Sequence, residues 1–442
     1  MKPPAPQLAA AQLVEIGKPV YGGAFLARIE GKAVFVPLAL PGEQATVRIT
    51  ENKPGYATAE IEALVTHAAE RIAPPCPHFG ICGGCHYQHT SYAQQLEFKQ
   101  AILRETLERA GVQIPTSMGF LAGDPWHSRN RIRLAFDGGG NPGYRSRRSH
   151  EIVPISECPI AAPLLVAAAE TVAELARAAT PSFRPREIAL FCDADESSLV
   201  ASFFVANAAK IRFEELARSL QQKIPALVGA ELVLESRAAK RGLAQPPRTI
   251  AQWGAPSLHY QAAGFDYRVD HGAFFQVNRW LVDELVNQVT AGHKGALAWD
   301  LFAGVGLFAR KLTSSFTRVV AVESAPASTK ALAANLKGTR AAPVRATTVD
   351  FLRRQSKGAQ DKSAIPDLIV VDPPRTGLGT ETCALLGEVA APAIAYVSCD
   401  PATLARDLHA LTRSGYNIQS ITLADLFPQT FHIETIVQLR RA

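Results

Sequence analysis

Cysteine is the residue type whose placement says most about the chemistry of this sequence. Three of the seven cysteines, Cys76, Cys82 and Cys85, fall within ten residues of a glycine-rich stretch. Such crowding is typical of metal ligation, and Cys158 is the candidate fourth ligand. Zinc and an iron–sulfur cluster both accept four thiolates, and three nearby histidines keep a mixed Cys/His zinc site open. The odd number of cysteines argues against a disulfide framework.

Cys399 has a different setting from those four cysteines. It follows the apolar run Ala393–Val397 and precedes a helical stretch that begins at Pro401. A helix N-terminus lowers the pKa of a thiol, and proline suits the first helical turn. We therefore expect Cys399 to be a nucleophile, although a cysteine is more commonly an inert core residue.

Candidate proton acceptors lie near the C-terminus, in the sequence FHIET at residues 431–435. Glu434 follows Ile433 on a β-like run, and a partly apolar site there would raise its pKa. His432 is a second candidate, and a surface glutamate on a strand is the ordinary alternative. The residues alone do not choose between Glu434 and His432.

The segment DLFAGVGL, residues 300–307, follows an apolar run and opens a helical stretch. Its glycines let the backbone approach a ligand closely at a helix N-terminus. Glu323 ends the next apolar run, where an acidic side chain commonly takes ribose hydroxyls. Asp350 follows the third candidate strand, within reach of an adenine amino group. Ala309 stands where a dinucleotide fingerprint has its third glycine, and such sites tolerate alanine, so a dinucleotide is the alternative to a methyl donor.

The segment VDPPRTG, residues 371–377, begins with the last residue of the apolar run Leu368–Val371. Its two prolines fix the backbone and remove two amide donors. Ligands of α/β proteins bind at loops on the carboxyl ends of strands, so Asp372 is expected to align a substrate base or the cofactor. An ordinary proline-rich turn is the minor alternative.

Length and composition set the outer limits. A chain of 442 residues with 47% hydrophobic and 19% charged residues predicts two or three folded domains. The net charge of +6 fits a polyanionic partner without proving one. No apolar run reaches membrane-spanning length and no secretion signal opens the chain, so we expect a soluble cytoplasmic protein without membrane contact.

The N-terminal part of the chain is predicted to be rich in strands. Residues 1–8 are proline-rich and expected to be disordered. Between residues 14 and 65 short β-like runs, at 33–37 and 45–49, alternate with glycine turns and predict a small antiparallel barrel. Such barrels often bind nucleic acid. Any other small β-domain would explain the same pattern equally well. A helix is predicted from Tyr92 to about Ala110.

The C-terminal part alternates apolar runs with helical stretches, which predicts a parallel sheet covered on both faces. Strands are expected at 296–299, 319–322, 368–371 and 393–397, and two more at 418–423 and 433–439. In the middle of the chain, Arg129, Arg131 and Arg133 alternate with other residues and would share one face of a strand. An ordinary solvated face and an RNA contact explain these arginines equally well.

Taken together, these motifs resemble those of the bacterial RNA uridine-5 methyltransferases, especially the branch that modifies 23S rRNA. The stretch from Tyr21 to Val65 resembles the TRAM RNA-binding domain, and the cysteine motif with Cys158 resembles the [4Fe–4S] site of that family. The remaining similarity is carried by FFQVN at 274–278, DLFAGVG at 300–306, VDPPRTG at 371–377, YVSCDP at 396–401 and FHIET at 431–435. The resemblance covers nearly the whole chain.

The resemblance implies a covalent reaction with S-adenosylmethionine as cofactor. Carbon 5 of uracil is too weak a nucleophile for direct methylation, whereas a thiolate added at carbon 6 makes the ring an enolate that is nucleophilic at carbon 5. Cys399 is thus the implied nucleophile and Glu434 the implied acceptor of the carbon-5 proton. The implied ligands of a [4Fe–4S] cluster are Cys76, Cys82, Cys85 and Cys158. The implied cofactor contacts are Gln276, Phe302, Glu323, Asp350 and Asp372.

The resemblance also implies an α/β fold with three domains. A TRAM- or OB-like barrel is expected at 8–66, a central α+β iron–sulfur domain at 67–265 and a class I, Rossmann-like methyltransferase domain at 266–442. The helix at 92–111 is expected to pack back on the catalytic domain. One departure is Leu307, where the family often has asparagine, so any side-chain contact from this position to the cofactor is lost.

Three functions remain in competition. Methylation of a uridine in 23S rRNA is favoured, because the barrel and the cysteine motif are absent from common bacterial enzymes that modify the T-loop of tRNA. A tRNA uridine methyltransferase is the alternative, and a non-catalytic RNA-binding protein is a distant third that intact Cys399 and Glu434 oppose. The enzyme is expected to be a monomer.

Overall fold

The structure is a computed structural model and describes residues 11–178, 183–207, 212–235, 247–358 and 365–442. The chain divides into two compact units, of which the first comprises residues 1–105 and 427–432 and the second residues 106–426 and 433–442. The three predicted domains follow other boundaries and stay a prediction. The proline-rich residues 1–8 lie outside the described part of the chain.

The first unit contains a six-stranded curled sheet. Its strands are β1 (Gln12–Glu15), β2 (Pro19–Val20), β3 (Ala24–Ile29), β4 (Lys32–Pro37), β5 (Gln44–Asn52) and β6 (Tyr56–Thr66). They lie in the order β1-β5-β6-β4-β3-β2. The residues after β1 close the sheet, because the amide of Ile16 donates to the carbonyl of Glu43 and the amide of Gly17 to that of Leu26. The two predicted strands of the barrel lie within β4 and β5.

Helix α1 (Tyr92–Arg109) follows the cysteine motif. The boundary between the units falls within α1, after Glu105. The predicted packing of this helix on the catalytic domain stays a prediction. Leu103 and Leu107 of this helix are buried, and Leu96 is half-buried.

Residues 427–432 belong to the first unit although they lie near the end of the chain. Gln429 is buried and has a left-handed backbone with φ of +67°. Its carbonyl accepts hydrogen bonds from the amides of His86 and Tyr87, at 2.8 and 3.2 Å. Its side chain and amide exchange hydrogen bonds with Gln95 at 2.9 and 3.1 Å. The residues that directly follow Cys85 therefore hold a segment that ends two residues before Glu434.

The second unit begins with a seven-stranded sheet. Its strands are β8 (Arg131–Phe136), β9 (Pro142–Arg145), β10 (Ile152–Pro154), β11 (Glu187–Cys192), β12 (Leu199–Val205), β13 (Leu227–Leu234) and β14 (Arg248–Gly254), in the order β10-β9-β8-β11-β12-β13-β14. Helices α2 (Pro163–Ala178) and α3 (Phe213–Lys223) share its apolar core. A hairpin of β15 (Ser257–Ala262) and β16 (Phe265–Asp270) follows.

The three alternating arginines have local roles in this unit. Only Arg131 and Arg133 lie on β8, because the strand begins after Arg129. The guanidinium of Arg131 donates to the carbonyl of Ala273 at 2.7 Å and covers the ring of Phe191. Arg133 is exposed and donates to Glu187 at 2.6 Å. Arg131 therefore stabilises the unit rather than forming part of a solvated face.

An eight-stranded sheet forms the C-terminal part of the second unit. Its strands are β7 (Gly119–Leu121), β17 (Gly295–Leu301), β18 (Phe316–Glu323), β19 (Ala341–Arg345), β20 (Leu368–Val371), β21 (Ala393–Ser398), β22 (Tyr416–Ala424) and β23 (Glu434–Arg441). The order is β19-β18-β17-β20-β21-β23-β22-β7, in which β23 is antiparallel to both neighbours. The strands from β19 to β21 are parallel. This is the predicted α/β sheet, extended by an antiparallel strand.

The helices of this region are α4 (Val282–Thr290), α5 (Leu307–Leu312), α6 (Pro326–Asn335), α7 (Thr348–Gly358), α8 (Gly379–Val389) and α9 (Pro401–Arg413). Every residue of β20 and β21 is buried, as expected for strands covered on both faces. Each parallel strand thus delivers the residue after its carboxyl end to the same edge of the sheet. None of the described helices combines the length and apolar character needed to cross a membrane.

Candidate active site

Cys399 lies between β21 and α9, as the sequence predicts, but its thiol is not activated by the helix. The carboxylate of Asp400 caps α9 and accepts hydrogen bonds from the amides of Ala402 and Thr403 at 3.0 and 2.9 Å. The first-turn amides are thereby occupied by a residue next to the thiol. Burial, which is the largest cause, and the carboxyl groups of Glu434 and Asp372 together raise the pKa of Cys399 to about 12. The expected lowering of this pKa is therefore wrong for the enzyme without substrate.

Glu434 is the first residue of β23 and is buried. Strand β23 pairs antiparallel with β21, and the last pair of this ladder is Ser398 with Thr435. Because the register continues by one residue, Glu434 faces Cys399 at the end of the ladder. Burial raises the pKa of Glu434 well above its usual value, and the nearby Asp372 carboxyl raises it further. The thiol and the buried acid therefore share one site.

Asp372 follows β20 directly and lies beside this pair. Burial raises its pKa to about 7, while a hydrogen bond from Gln276 lowers it. The side-chain amide nitrogen of Gln276 donates to the Asp372 carboxylate at 3.3 Å. The side chain of Asn130 in turn donates to the backbone carbonyl of Gln276 at 3.0 Å. Gln276 and Asp372, both predicted cofactor contacts, thus form one hydrogen-bonded pair.

Asp300 is a site residue that the sequence analysis did not single out. It lies on β17 next to the loop 302–306 and is completely buried. One carboxylate oxygen accepts from the amide of Ala309 at 2.7 Å. Burial, which is the largest cause, and the carboxyls of Asp372 and Glu323 together raise the pKa of Asp300 to about 8. An acidic residue within an otherwise apolar strand was the signal that could have found it.

Phe302 and Glu323 line a cavity of about 190 Å³ in the second unit, together with Thr347, Pro374 and Leu378. Phe302 has a left-handed backbone with φ of +64°, a conformation that non-glycine residues rarely adopt outside functional sites. The amide of Gly304 donates to the Glu323 carboxylate at 2.8 Å.

The amides of Ser324 and Ala325 also donate to Glu323, at 2.6 and 2.7 Å. A carboxylate with about four lone-pair sites still has room for a ribose hydroxyl. The cavity therefore fits a cofactor with a ribose next to Glu323.

Asp350 has an alternative explanation in the structure. Its carboxylate accepts from the Thr347 hydroxyl at 2.8 Å, and its amide donates to the same hydroxyl at 3.1 Å. The Thr347 hydroxyl thereby accepts from an amide of the first turn of α7 and caps the start of that helix. Arg353 lies 3.6 Å from the carboxylate. Asp350 therefore stabilises the helix that follows the cavity, and its contact with adenine stays a prediction.

Asp407 on α9 holds the loop that follows Asp372. Its carboxylate accepts from the amides of Leu378 and Gly379, at 2.7 and 3.3 Å, and from the Tyr396 hydroxyl at 2.8 Å. Gly377 has φ of +70°, and a Cβ there would lie 2.4 Å from the Asp407 carboxylate. Asp407 is buried and was not predicted as a site residue. The helix after Cys399 thus holds one wall of the cavity.

The four candidate metal ligands are distributed over both units. Cys76, Cys82 and Cys85 belong to the first unit, whereas Cys158 belongs to the second. The amide of Gly84 donates to the sulfur of Cys82 at 3.3 Å, a kind of contact that tunes thiolate ligands. Within the described ranges, no three His, Cys, Asp or Glu residues are grouped so as to hold a metal ion. The donor types suit a cluster, and metal binding stays a prediction.

Family models match two parts of the chain. Residues 212–442 match the model described as tRNA (Uracil-5-)-methyltransferase. Residues 10–61 match the TRAM domain, which accounts for the curled sheet of the first unit. The fold and the site together define an RNA methyltransferase that uses S-adenosylmethionine and acts on carbon 5 of uracil.

Similar proteins extend this match to nearly the full chain. An uncharacterized RNA methyltransferase of Nitratidesulfovibrio vulgaris is 32% identical, over 95% of this chain and 93% of its own. The 23S rRNA (uracil(1939)-C(5))-methyltransferase RlmD of Azoarcus sp. is 32% identical, over 95% and 97%. The chain belongs to the RNA uracil-5 methyltransferase family.

A solved structure supports the fold. The tRNA (uracil-54, C5)-methyltransferase of Pyrococcus abyssi, in complex with S-adenosyl-L-homocysteine, superposes with a TM-score of 0.76. The match covers 96% of this chain and 99% of that one at 23% sequence identity. The predicted fold class, with a methyltransferase sheet and an N-terminal TRAM barrel, is thereby confirmed.

Proposed function

We propose that the protein methylates carbon 5 of a uridine in 23S rRNA through a covalent bond between Cys399 and carbon 6. The observation that carries the proposal is the pairing of β21 with β23, which sets the Cys399 thiol opposite the buried Glu434 carboxyl. A nucleophile and a proton acceptor in one small site match the two demands of the reaction.

In the proposed reaction the sulfur of Cys399 adds to carbon 6, and the electron pair of the ring double bond moves to form an enolate. The thiol loses its proton as it attacks, because burial favours its neutral form. Asp372, with a pKa raised to about 7, is a proton acceptor matched to neutral pH.

S-adenosylmethionine, when bound, supplies the methyl group at carbon 5. Glu434 then takes the carbon-5 proton, and the released electron pair expels the Cys399 thiolate. A buried carboxylate is a stronger base than an exposed one, since its pKa is raised.

Gln276, Phe302, Glu323, Asp350 and Asp372 are the proposed cofactor contacts. The fit is supported by the cavity at Phe302 and Glu323 and by the bond of Gln276 to Asp372. Cys76, Cys82, Cys85 and Cys158 are proposed to hold a [4Fe–4S] cluster. The reaction needs no redox step, so a cluster would have a structural or RNA-positioning role.

The choice of 23S rRNA is supported by relatives that carry this name. They include the RlmD proteins of Halomonas elongata, at 31% identity, and of Azoarcus sp., at 32%. Transfer RNA is the second candidate, because the Pyrococcus abyssi enzyme with the same fold is named for tRNA. An enzyme that acts on ribosomal RNA works in the cytoplasm, and we propose that it does so as a monomer.

The experiment that separates the substrates is methyl transfer to unmodified transcripts of 23S rRNA and of tRNA, followed by mapping of 5-methyluridine. We expect one modified uridine in 23S rRNA and none in tRNA. Modification of tRNA alone would overturn the rRNA assignment and leave the methyltransferase chemistry intact.

A further inference from the structure

The segment that carries Gln276 also presents an exposed tryptophan. Trp280 is 44% exposed, although large aromatic side chains usually lie in the core. It stands four residues after Gln276, in the stretch that precedes α4. An extended segment of this length spans at most about 14 Å, so the ring lies close to the active site.

Several polar contacts fix this ring in place. The indole nitrogen of Trp280 donates to the carbonyl of Trp126 at 3.0 Å. The Trp280 amide donates to the side chain of Asn278 at 3.0 Å. The guanidinium of Arg279 lies 4.2 Å from the ring centre.

Arg279 is itself held rigidly. Its side chain is only 5% exposed and lies 2.6 Å from the Glu196 carboxylate. It also donates to the carbonyls of His127 and Ala194, at 2.8 and 3.1 Å. Because Glu196 balances its charge, Arg279 acts as a support for the ring and not as a phosphate ligand.

The same segment is tied to the active site by a short ladder. The amide of Asn130 donates to the carbonyl of Val277 at 3.0 Å, and the amide of Arg279 to that of Ser128 at 2.9 Å. The Asn130 side chain binds the carbonyl of Gln276, whose own side chain binds Asp372. The ring is therefore fixed relative to the reacting groups of the second unit.

We propose that the Trp280 ring is a stacking platform for an RNA base next to the target uridine. Cys399 is half-buried and Glu434 is buried, so the target base must leave its stack to reach them. A neighbouring base thereby loses its stacking partner, and an exposed aromatic ring of fixed orientation replaces that partner. RNA is the substrate of the family, and the proposal does not depend on which RNA is modified.

The test compares Trp280→Ala and Trp280→Tyr with the wild-type protein in binding to 23S rRNA and tRNA transcripts, over a range of salt concentrations. Phe120→Ala is the matched control, since Phe120 is an equally exposed aromatic residue, at 47%, on the edge strand β7. Stacking on an aromatic ring is worth about 1–3 kcal/mol per base, so Trp280→Ala should weaken binding roughly 5- to 150-fold. Trp280→Tyr should retain most of the affinity, and Phe120→Ala should bind as the wild type does.

Stacking releases no counterions, so the dependence of the dissociation constant on salt should keep its slope in Trp280→Ala. Unchanged affinity for both transcripts, or a smaller salt slope, would overturn the proposal. Affinity for S-adenosyl-L-homocysteine, measured on the same samples, should be unchanged and reports that the variant is folded. If neither transcript is methylated by the wild type, the proposed substrate fails, while the binding comparison still decides the role of Trp280.

Discussion

At the scale of the residue, Cys399 lies in surroundings that keep its thiol protonated. Burial, Glu434 and Asp372 all raise its pKa, whereas Arg375 and a backbone hydrogen bond lower it. Burial also raises the pKa values of the acids Asp300, Asp372 and Glu434. Burial thus favours the neutral form of each of these groups, and Asp372 and Glu434 accept a proton only in their ionised form.

The first prediction concerns the pH dependence of the attack by Cys399. In the proposed reaction the thiol gives its proton to Asp372, whose pKa is raised to about 7, so the ionised fraction of this acceptor rises with pH and then saturates. Formation of the covalent adduct with an RNA that contains 5-fluorouridine, measured without cofactor, should therefore accelerate up to about pH 7 and level off above it. A rate that keeps rising about tenfold per pH unit up to pH 9 would show that the free thiolate, and not Asp372, limits the attack.

The second prediction concerns Glu434. Glu434→Gln keeps the shape of the side chain but cannot take the carbon-5 proton, so a methylated protein–RNA adduct should accumulate. Removal of a general base commonly slows its step by about 10²–10⁴. Denaturing gel electrophoresis with labelled RNA measures the adduct, and His432→Gln is the matched control for the other candidate acceptor. Normal turnover of Glu434→Gln would remove Glu434 from the mechanism.

The candidate residues were predictable from the sequence, and so was the raised pKa of Glu434, but the raised pKa of Cys399 was not. The positions of Cys399, Asp372 and Glu323 follow from apolar runs and the residues that end them. The pKa of Cys399 was predicted in the wrong direction, because the cap formed by Asp400 and the register of Glu434 depend on tertiary contacts. Asp300 was missed for the same reason, since its burial is a property of the sheet.

At the scale of the element, α9 connects the two halves of the site. Its N-cap Asp400 directly follows Cys399, and Asp407 on its second turn holds the loop 377–379. The Arg406 guanidinium also donates to the carbonyl of Thr376 at 2.8 Å. A displacement of α9 therefore alters the nucleophile and the cofactor cavity together.

The third prediction follows from Asp407. Asp407→Asn weakens the acceptor of the Leu378 and Gly379 amides, so affinity for S-adenosyl-L-homocysteine should fall about tenfold, roughly the value of one hydrogen bond to a charged group. Calorimetry measures the affinity.

Leu408→Ala is the control for this prediction, because Leu408 is buried on the same helix and its loss costs stability, about 2–5 kcal/mol, without touching the loop. Equal loss of affinity in both variants would contradict a specific role for Asp407.

The elements themselves were largely predictable. Apolar runs predicted β17, β18, β20 and β21 to within a few residues, because strands buried on both faces leave an unbroken apolar signal. The direction of β23 was not predictable in the same way, because periodicity carries no information about the direction of a strand. Yet this antiparallel strand is what sets Glu434 opposite Cys399.

At the scale of the whole molecule, the chain passes from the first unit to the second shortly before Glu434. Residues 427–432 belong to the first unit, where Gln429 is bonded to the residues after Cys85, and Glu434 follows in the second unit. The boundaries of the units were not predictable, because the short segment 427–432 joins residues more than 300 positions away.

The fourth prediction concerns the metal. Anaerobically prepared protein should be brown, with absorbance near ~400 nm and with iron and sulfide in equal amounts. Cys82→Ser should lose the colour, whereas Cys192→Ser should keep it, because Cys192 is buried in the core of the seven-stranded sheet. Bound zinc in a colourless anaerobic sample would contradict the proposed cluster.

The measurement that tests the central claim most directly is mass spectrometry of the protein after reaction with S-adenosylmethionine and an RNA transcript that contains 5-fluorouridine. The fluorine on carbon 5 cannot leave as a proton, so the wild-type enzyme should accumulate a methylated adduct attached at Cys399. Cys399→Ala should form no adduct and should not methylate normal RNA. The control Cys383→Ala, altered at a buried cysteine of α8, should form the adduct and methylate normal RNA. Methyl transfer at the normal rate by Cys399→Ala would contradict the covalent mechanism.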